Sequence, residues 1–115
     1  MQSFKWRFFY SAIFMVWCVG YLERSQLVTF LKVAKTRLMP QPGRISRSSP
    51  PDSFIFVFDN VLGEGEESTV IKRQRVRSLA ELESIFDEAG LVVHRRSGRT
   101  KMLGAFSDVC VWALY

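Results

Sequence analysis

The sequence contains few of the residues that build metal centres and disulfide frameworks. Its 115 residues include two cysteines and one histidine. Cys18 and Cys110 each lie within an apolar run, where a free cysteine behaves as a small hydrophobe, and neither is spaced with His94 as metal ligands are. We therefore predict no metal site, and the cysteine spacing gives no support to a disulfide. Unpaired buried cysteines favour a reducing compartment, so we expect a cytoplasmic or nuclear protein.

The sequence also lacks a hydrophobic run long enough for an ordinary membrane-spanning helix. Residues 8–22 are almost wholly apolar and follow Lys5 and Arg7, a pattern shared with signal peptides and membrane anchors. A spanning helix needs about 20 apolar residues, however. The aromatic and β-branched residues within 9–17 favour a buried strand that turns at Gly20 into a helix. Membrane anchoring by residues 8–22 is the alternative interpretation.

Acidic residues are outnumbered by basic ones. The 16 lysines and arginines and the 11 aspartates and glutamates give a net charge of +5, which favours an acidic partner without identifying it. The arginines fall in separate loops without interleaved aromatic residues, so we predict no specific nucleic-acid site. The 48% of hydrophobic residues predicts a folded chain, and the length fits one small domain over residues 1–115.

The chain does contain a short, strongly apolar run that ends in two polar residues. It reads Phe54-Ile55-Phe56-Val57-Phe58-Asp59-Asn60. A short run rich in aromatic and β-branched residues predicts a strand buried on both faces of a parallel sheet. Ligands of open α/β sheets bind beyond the carboxyl ends of the strands, so Asp59 and Asn60 are candidate site residues. The same pair is equally typical of a helix cap or a turn.

A helix and a flexible insertion are predicted before this strand. Apolar residues recur at helical spacing from Leu27 to Leu38, and Pro40 ends the pattern. Residues 40–52 are rich in proline, serine and arginine, a composition that does not pack and predicts a flexible insertion.

A second helix and a hairpin are predicted after the strand. Ser78 and Glu81 have the spacing of a capping box, and Gly90 is the residue type that commonly ends a helix. Residues 91–93 and 109–115 are then predicted to be strands. The basic turn between them is too short for a crossover helix, so the two strands should be antiparallel. The predicted order is strand, helix, strand, helix and antiparallel hairpin, which is an α/β fold.

Gly63 and Gly65 follow the central strand. A Gly-x-Gly sequence after a strand is found in phosphate-binding loops. Here three glutamates stand beside the glycines and would repel an anion, and no periodic helix follows. A solvated loop is therefore the favoured interpretation.

Five segments, taken in order, carry a resemblance to a known family. They are Trp17-Cys18-Val19-Gly20-Tyr21-Leu22 with the helix that follows, Leu38-Met39-Pro40, Phe58-Asp59-Asn60, Ala89-Gly90-Leu91 and Ala113-Leu114. Together they resemble the Trp-x-x-Gly-His-Leu strand-to-helix junction and the later motifs of the alpha-N-terminal protein methyltransferases. The resemblance covers the chain from about Tyr10 onward.

The resemblance implies the C-terminal half of a class I, Rossmann-like methyltransferase domain. Such a domain would transfer a methyl group from S-adenosylmethionine to the N-terminal amine of a protein. Trp17, Tyr21 and Asn60 would bind the substrate, and Asp59 and Asn60 would be the catalytic residues that hold or take the proton of the amine. The family's glycine-rich cofactor loop and ribose-binding acid have no counterpart in these 115 residues. A second chain that completes the sheet is therefore an expected partner.

The chain departs from the family at positions that matter for catalysis. Tyr21 stands where the family has histidine, and tyrosine, with an ordinary pKa of about 10, is a poor base at neutral pH. Thr69 and Lys72 stand where the family has the acidic residues that receive the substrate amine, and Phe58 replaces a lysine. The sequence leaves enzymatic activity open. The alternative function is a non-catalytic, methyltransferase-like binding module.

Overall fold

The computed structural model describes residues 8–39, 52–62, 69–71, 74–98, 100–101 and 108–115. In chain order its elements are β1 (Ala12–Val16), α1 (Arg24–Thr36), β2 (Phe54–Val61), β3 (Thr69–Ile71), β4 (Gln74–Val76), α2 (Leu79–Glu88), β5 (Val93–Arg96), β6 (Thr100–Lys101) and β7 (Asp108–Leu114), with a 3-10 turn at Val19–Tyr21. The α/β class predicted from the sequence is confirmed.

The main sheet has the strand order β1-β2-β7-β5, with β6 also paired to β7. Strands β1 and β2 are parallel, with Ala12 opposite Phe54 and Val16 opposite Phe58. The helix α1 between them provides the crossover that a parallel pair requires. Strand β7 is antiparallel to both β2 and β5, which confirms the predicted closing hairpin. Strands β3 and β4 form a separate two-stranded sheet that the sequence did not predict.

Both helices pack on one face of the main sheet. The alternation of strand side chains points Ile13, Ile55 and Trp112 toward the helices, and the Trp112 ring meets Phe86 of α2 edge-on with 5.4 Å between centroids. The side chains of this core are at most 9% exposed and include Ile13, Met15, Leu27, Leu31, Ile55, Val57, Leu82, Ile85, Phe86, Trp112 and Leu114. This layer of helices on sheet is the core of the domain.

The opposite face of the sheet is open in the part of the chain that the structure describes. Phe14 is 68% exposed and Val16 is 51% exposed, and the phenylalanines of β2 are only half-buried. The prediction of a strand buried on both faces is therefore wrong for β2. Ile55 and Val57 face the helices and are fully buried, whereas the phenylalanines alternate with them and face the open side.

Several element boundaries differ from the sequence predictions. The strand expected over residues 9–17 is regular only over Ala12–Val16, and the strand expected over residues 91–93 begins at Val93 and continues to Arg96. Asp59 and Asn60 lie inside β2, so the alternative of a helix cap or turn is wrong for both. Backbone pairing with β7 fixes their strand conformation.

The capping chemistry also differs from the prediction. The Ser78 hydroxyl accepts a hydrogen bond from the Glu81 amide at 3.1 Å, as expected at the start of α2. The Glu81 carboxylate, however, lies 3.4 Å from the Arg77 guanidinium instead of completing the box. A reciprocal box forms at the start of α1, where Glu23 is the N-cap and the Gln26 side chain accepts from the Glu23 amide.

Two sequence predictions fall largely outside the described residues. These are the flexible insertion at 40–52, of which only Asp52 is described, and the loop with Gly63 and Gly65. The described part of residues 8–22 forms β1 and the 3-10 turn instead of a helix. Neither α1 nor α2, the helices within the described ranges, has the length and apolarity needed to cross a membrane.

The helix-covered core predicts unequal effects for two positions of α1. Leu31 is fully buried, and Leu31→Ala should lower the free energy of unfolding by about 2–5 kcal/mol because it leaves a cavity. Val33 is 38% exposed on the same helix, and Val33→Ala should change the free energy of unfolding by less than about 0.5 kcal/mol. Denaturant unfolding of the two variants checks this arrangement, and equal losses would contradict it.

Candidate substrate-binding edge

Trp17 lies at the carboxyl end of β1 in a left-handed backbone conformation, with φ at 57°. A bulky residue rarely adopts a positive φ, and holding one there costs about 1–3 kcal/mol. The regular alternation of β1 would point Trp17 toward the helices. Because the Trp17 backbone is left-handed, the indole instead lies edge-on to the Phe58 ring, with 4.8 Å between ring centroids. The indole is 37% exposed and belongs to the open face.

Asp59 fixes the 3-10 turn that follows Trp17. Its Oδ2 accepts a hydrogen bond from the Val19 amide at 3.0 Å, and its Oδ1 accepts one from the Asn60 amide at 2.8 Å. The contact spans two strands because the carboxyl ends of parallel β1 and β2 lie at the same edge of the sheet. Asp59 is 1% exposed, so this bond is made in a buried environment where water does not compete.

Arg77 holds the same turn from its carbonyl side. Its Nη1 donates to the Val19 carbonyl at 3.1 Å, and its Nη2 donates to the Leu22 carbonyl at 2.7 Å. The residue is 3% exposed, and its own carbonyl accepts from the Leu62 amide at 3.0 Å, just beyond the end of β2. The Val19 amide thus donates to the Asp59 carboxylate, and the Val19 carbonyl accepts from the Arg77 guanidinium. We call this arrangement the Asp59–Arg77 clamp.

Burial shifts the proton affinities of the groups in and beside the clamp. It raises the pKa of Asp59, against the opposing effects of hydrogen bonds from the amides of Asn60, Val19 and Gly20 and of the Arg77 charge. Burial likewise lowers the pKa of Arg77, while the charge of Glu81 opposes the shift. The pKa of the Cys18 thiol is raised by burial and then by the charge of Asp59. Cys18 is therefore protonated at neutral pH and is no nucleophile.

Asn60 offers an unused acceptor at this edge. It follows Phe56 and Phe58 in the alternation of β2, which assigns its side chain to the open side of the sheet. The residue is 5% exposed, and its Oδ1 accepts no hydrogen bond from the described residues. A buried amide oxygen without a donor costs about 1–3 kcal/mol, which a ligand that supplies the donor would recover.

The structure brings the four predicted site residues to one edge. Trp17 precedes the 3-10 turn, Tyr21 is its last residue, and Asp59 and Asn60 lie where β2 reaches it. Tyr21 is 62% exposed, so its ring projects into solvent from this edge. Thr69, at a position where the family has an acid, lies in β3, and Lys72 is outside the described residues. Arg77 was missed, because a basic residue in a charged run gives no signal that its side chain is buried.

The described residues do not fit S-adenosylmethionine on their own. Beside this edge, the open face forms a cavity of about 440 Å³ lined by apolar residues only, namely Phe14, Val16, Trp17, Phe56, Phe58 and Val111. The acid at the edge, Asp59, is buried and bound to backbone amides, so it is not available to a ribose hydroxyl. A charged, polar cofactor finds no matching donor set there. Across the described residues, no group of three His, Cys, Asp or Glu side chains could hold a metal ion.

Comparison with known proteins gives a shared fold. No protein-family model and no curated protein sequence matches the chain. Among solved structures, a SAM-dependent methyltransferase from Leishmania major superposes with a TM-score of 0.74 at 21% identity, over 93% of this chain and 39% of that chain. The mitomycin 7-O-methyltransferase MmcR has a TM-score of 0.66 at 17% identity, over 96% of this chain and 30% of its own.

A third similar structure is CalO1, a methyltransferase in calicheamicin biosynthesis, solved with SAH bound. Its TM-score is 0.61 at 17% identity, and the match covers 90% of this chain and 29% of that chain. The described part of the chain therefore shares a Rossmann-like α/β fold with these methyltransferases, and the chain spans between 29% and 39% of the length of these structures. At these identities the likeness establishes the fold alone.

The Asp59–Arg77 clamp predicts different effects for two neighbouring arginines. Arg77→Lys retains the charge but loses the planar pair of donors that reaches two carbonyls. We expect the free energy of unfolding to fall by about 1–3 kcal/mol, and the amides of Tyr21 and Leu22 to exchange with solvent faster. The control is Arg75→Lys, since Arg75 is exposed. Hydrogen exchange with denaturant unfolding measures both effects, and equal behaviour of the two variants would exclude the clamp.

The raised pKa of Asp59 predicts a pH dependence of stability. Because the folded state binds this proton more tightly than the unfolded chain, whose pKa is 3.8, the contribution of Asp59 is fully present below pH 3.8. It declines as the pH rises through the higher folded-state value. The free energy of unfolding of the wild type, relative to Asp59→Asn, should therefore decrease between pH 3 and pH 7. Denaturant unfolding at intermediate pH values measures this difference, and an increase with pH would mean that the amides and Arg77 outweigh burial.

Proposed function

We propose that this chain is the acceptor-binding half of an S-adenosylmethionine-dependent methyltransferase domain whose acceptor is the N-terminal amine of a protein. The observation that carries the proposal is the buried Oδ1 of Asn60, which accepts no hydrogen bond from the described residues and lies at the sheet edge that also presents the exposed indole of Trp17. The methyltransferase fold and the resemblance of the strand-to-helix junction support it.

Asn60 would orient the acceptor through hydrogen bonding. Its Oδ1 can accept from the α-amine of a substrate, and an accepted bond satisfies the oxygen that the fold leaves without a donor. A site built around a buried acceptor rejects ligands that lack the matching donor, because the oxygen then stays unsatisfied. Asn60 thereby selects for a peptide with an α-amine over one in which hydrogen replaces the amine.

Trp17 would supply the apolar wall of the acceptor site. Its indole is fixed by the left-handed backbone at the end of β1 and by the edge-on contact with Phe58, so it needs little ordering when a peptide packs against it. Tyr21, exposed on the same turn, adds a hydroxyl that can contact the peptide beyond its first residue. The Asp59–Arg77 clamp holds the turn that connects Trp17 to Tyr21, so the distance between these two side chains stays constant.

Asp59 would act on the acceptor indirectly. Each of its carboxylate oxygens already accepts from a backbone amide, and the side chain is 1% exposed. Its geometry favours a positioning role, in which the carboxylate sets the distance between Trp17 and Asn60. The catalytic role predicted from the family resemblance remains a prediction. A base for the amine would then come from the half of the domain that binds the cofactor.

Peptide binding tests the proposal. A short peptide with a free N-terminus, titrated calorimetrically into the chain, should bind at least about tenfold more tightly than its desamino counterpart, in which hydrogen replaces the α-amine. Asn60→Ala should remove this preference, because it removes the acceptor for the amine. The control is Val33→Ala on the helix side, which should bind both peptides as the wild type does. Equal affinity for the two peptides in a folded chain would overturn the proposal.

A parallel titration with S-adenosylmethionine separates the two halves of the proposed domain. No saturable heat is expected from these 115 residues, since the edge lacks a donor set for the cofactor. Saturable binding in the micromolar range, about −8 kcal/mol, would show instead that these residues hold a cofactor site by themselves.

A further inference from the structure

We propose that the acceptor edge holds an N-terminus only while its nitrogen carries at least one hydrogen, and that it discriminates against an N-terminus with a quaternary, trimethylated nitrogen. The inference rests on the proposed function, because it concerns the same Oδ1 of Asn60. It adds the degree of methylation at which the edge stops holding an N-terminus.

The position of the Asn60 side chain is fixed by its strand. Asn60 lies opposite Val109 in the ladder between β2 and β7, and its amide donates to Asp59 Oδ1 at 2.8 Å. The residue is 5% exposed, and its own Oδ1 accepts no hydrogen bond from the described residues. Because the ladder prevents a backbone shift that would bring this oxygen to bulk water, a ligand satisfies it only by donating a hydrogen bond.

A methyl group cannot replace the donated hydrogen. An N–H donor places its nitrogen about 2.9 Å from an acceptor oxygen. A methyl carbon stays about 3.3–3.6 Å from the oxygen, with the nitrogen behind it, and a C–H group is a weaker donor than N–H. A quaternary nitrogen therefore lies farther from the Oδ1 of Asn60 and leaves it without its bond.

The number of hydrogens on the nitrogen predicts a single step in affinity. A protonated N-terminus carries three of them, and each methyl group replaces one, so the dimethylated form still has a donor. One donor is enough for the single acceptor atom that the fold leaves unsatisfied. The affinity should therefore change little over the first two methyl groups and fall at the third.

Charge does not produce this step. The protonated N-terminus and the trimethylated one each carry one positive charge, so an acidic side chain attracts both. Two described acids beside the turn are also engaged. Each oxygen of Asp59 accepts from a backbone amide, and the Glu23 side chain accepts from the Gln26 amide at the start of α1. The hydrogen bond to Asn60 is therefore the interaction that distinguishes the two forms.

The aromatic residues at the edge favour the opposite preference only weakly. A quaternary ammonium binds well between several aromatic faces. Here the Trp17 and Phe58 rings meet edge-on at an interplanar angle of 85°, and Tyr21 is 62% exposed and projects into solvent. The described residues at this edge thus offer one exposed indole and no cage. One exposed ring stabilises a cation by less than a buried, unsatisfied oxygen costs.

The experiment is a calorimetric titration of the chain at pH 6 with four peptides of one sequence. Each peptide has four alanines and an amidated C-terminus, and its α-nitrogen carries zero, one, two or three methyl groups. At pH 6 all four carry the same charge, since an α-amine with a pKa of about 7.7–8.0 is protonated there. We expect affinities within about threefold of one another for the first three peptides, and an affinity at least about tenfold lower for the trimethylated peptide.

Two variants assign the step to Asn60. Asn60→Ala removes the acceptor, so it should lower the affinity for the first three peptides to that for the trimethylated one. Val33→Ala, on the helix side, should retain the step. Circular dichroism establishes that both variants are folded. A step that persists in folded Asn60→Ala would assign the discrimination to the size of the third methyl group and contradict the inference.

The wild-type titrations separate this inference from the proposed function, and they do not depend on the folding of any variant. Equal affinity for the unmethylated peptide and its desamino counterpart would overturn the proposed function and this inference with it. A preference for the amine over the desamino peptide, with equal affinity for the dimethylated and trimethylated peptides, would overturn this inference alone. Tighter binding of the trimethylated peptide would also exclude it, in favour of an aromatic cage for the quaternary nitrogen.

Discussion

The hydrogen bond between the Asp59 carboxylate and the Val19 amide joins the two halves of this structure. It links the end of β2 to the turn that leads from β1 into α1, across a separation of 40 residues in sequence. Without it, the parallel pairing of β1 and β2 would still align the strands, but the turn beyond them would be held by the Arg77 bonds to its carbonyls and not through the Val19 amide. Arg77 completes the arrangement, because a buried carboxylate needs a nearby positive charge and buried carbonyls need donors.

The clamp explains how the chain tolerates a strained tryptophan. A left-handed residue with a large side chain persists only where its neighbours determine the backbone on both sides. On one side Trp17 is held by its amide bond to the Phe58 carbonyl, and on the other side Val19 is held by Asp59 and Arg77. The energy stored in the backbone is offset by buried hydrogen bonds. The result is an aromatic side chain presented at the sheet edge in a fixed orientation.

Sequence patterns predicted the helices and strands of this fold, but they did not predict which face of the sheet is covered. The apolar run before Asp59, the stripe of α1 and the Ser78 cap depend on local patterns, and the structure shows each of them. Which face of β2 is covered depends on where other elements pack, so the run of phenylalanines could not reveal that one side is open. The burial of Arg77 could not be predicted from the sequence for the same reason. A basic residue is buried only if acceptors at distant positions meet it, and those are set by tertiary structure.

The open face and the acceptor edge have a physical connection. Asn60 is 5% exposed whereas Trp17 at the same edge is 37% exposed, so the proposed acceptor site is dry on one side and wet on the other. A polypeptide that packs on the open face would exclude water next to Trp17 and Phe58, and the hydrogen bonds made beside them would then be stronger. Since binding free energies are linked, an acceptor that favours the covered state must strengthen the association of that polypeptide by the same factor.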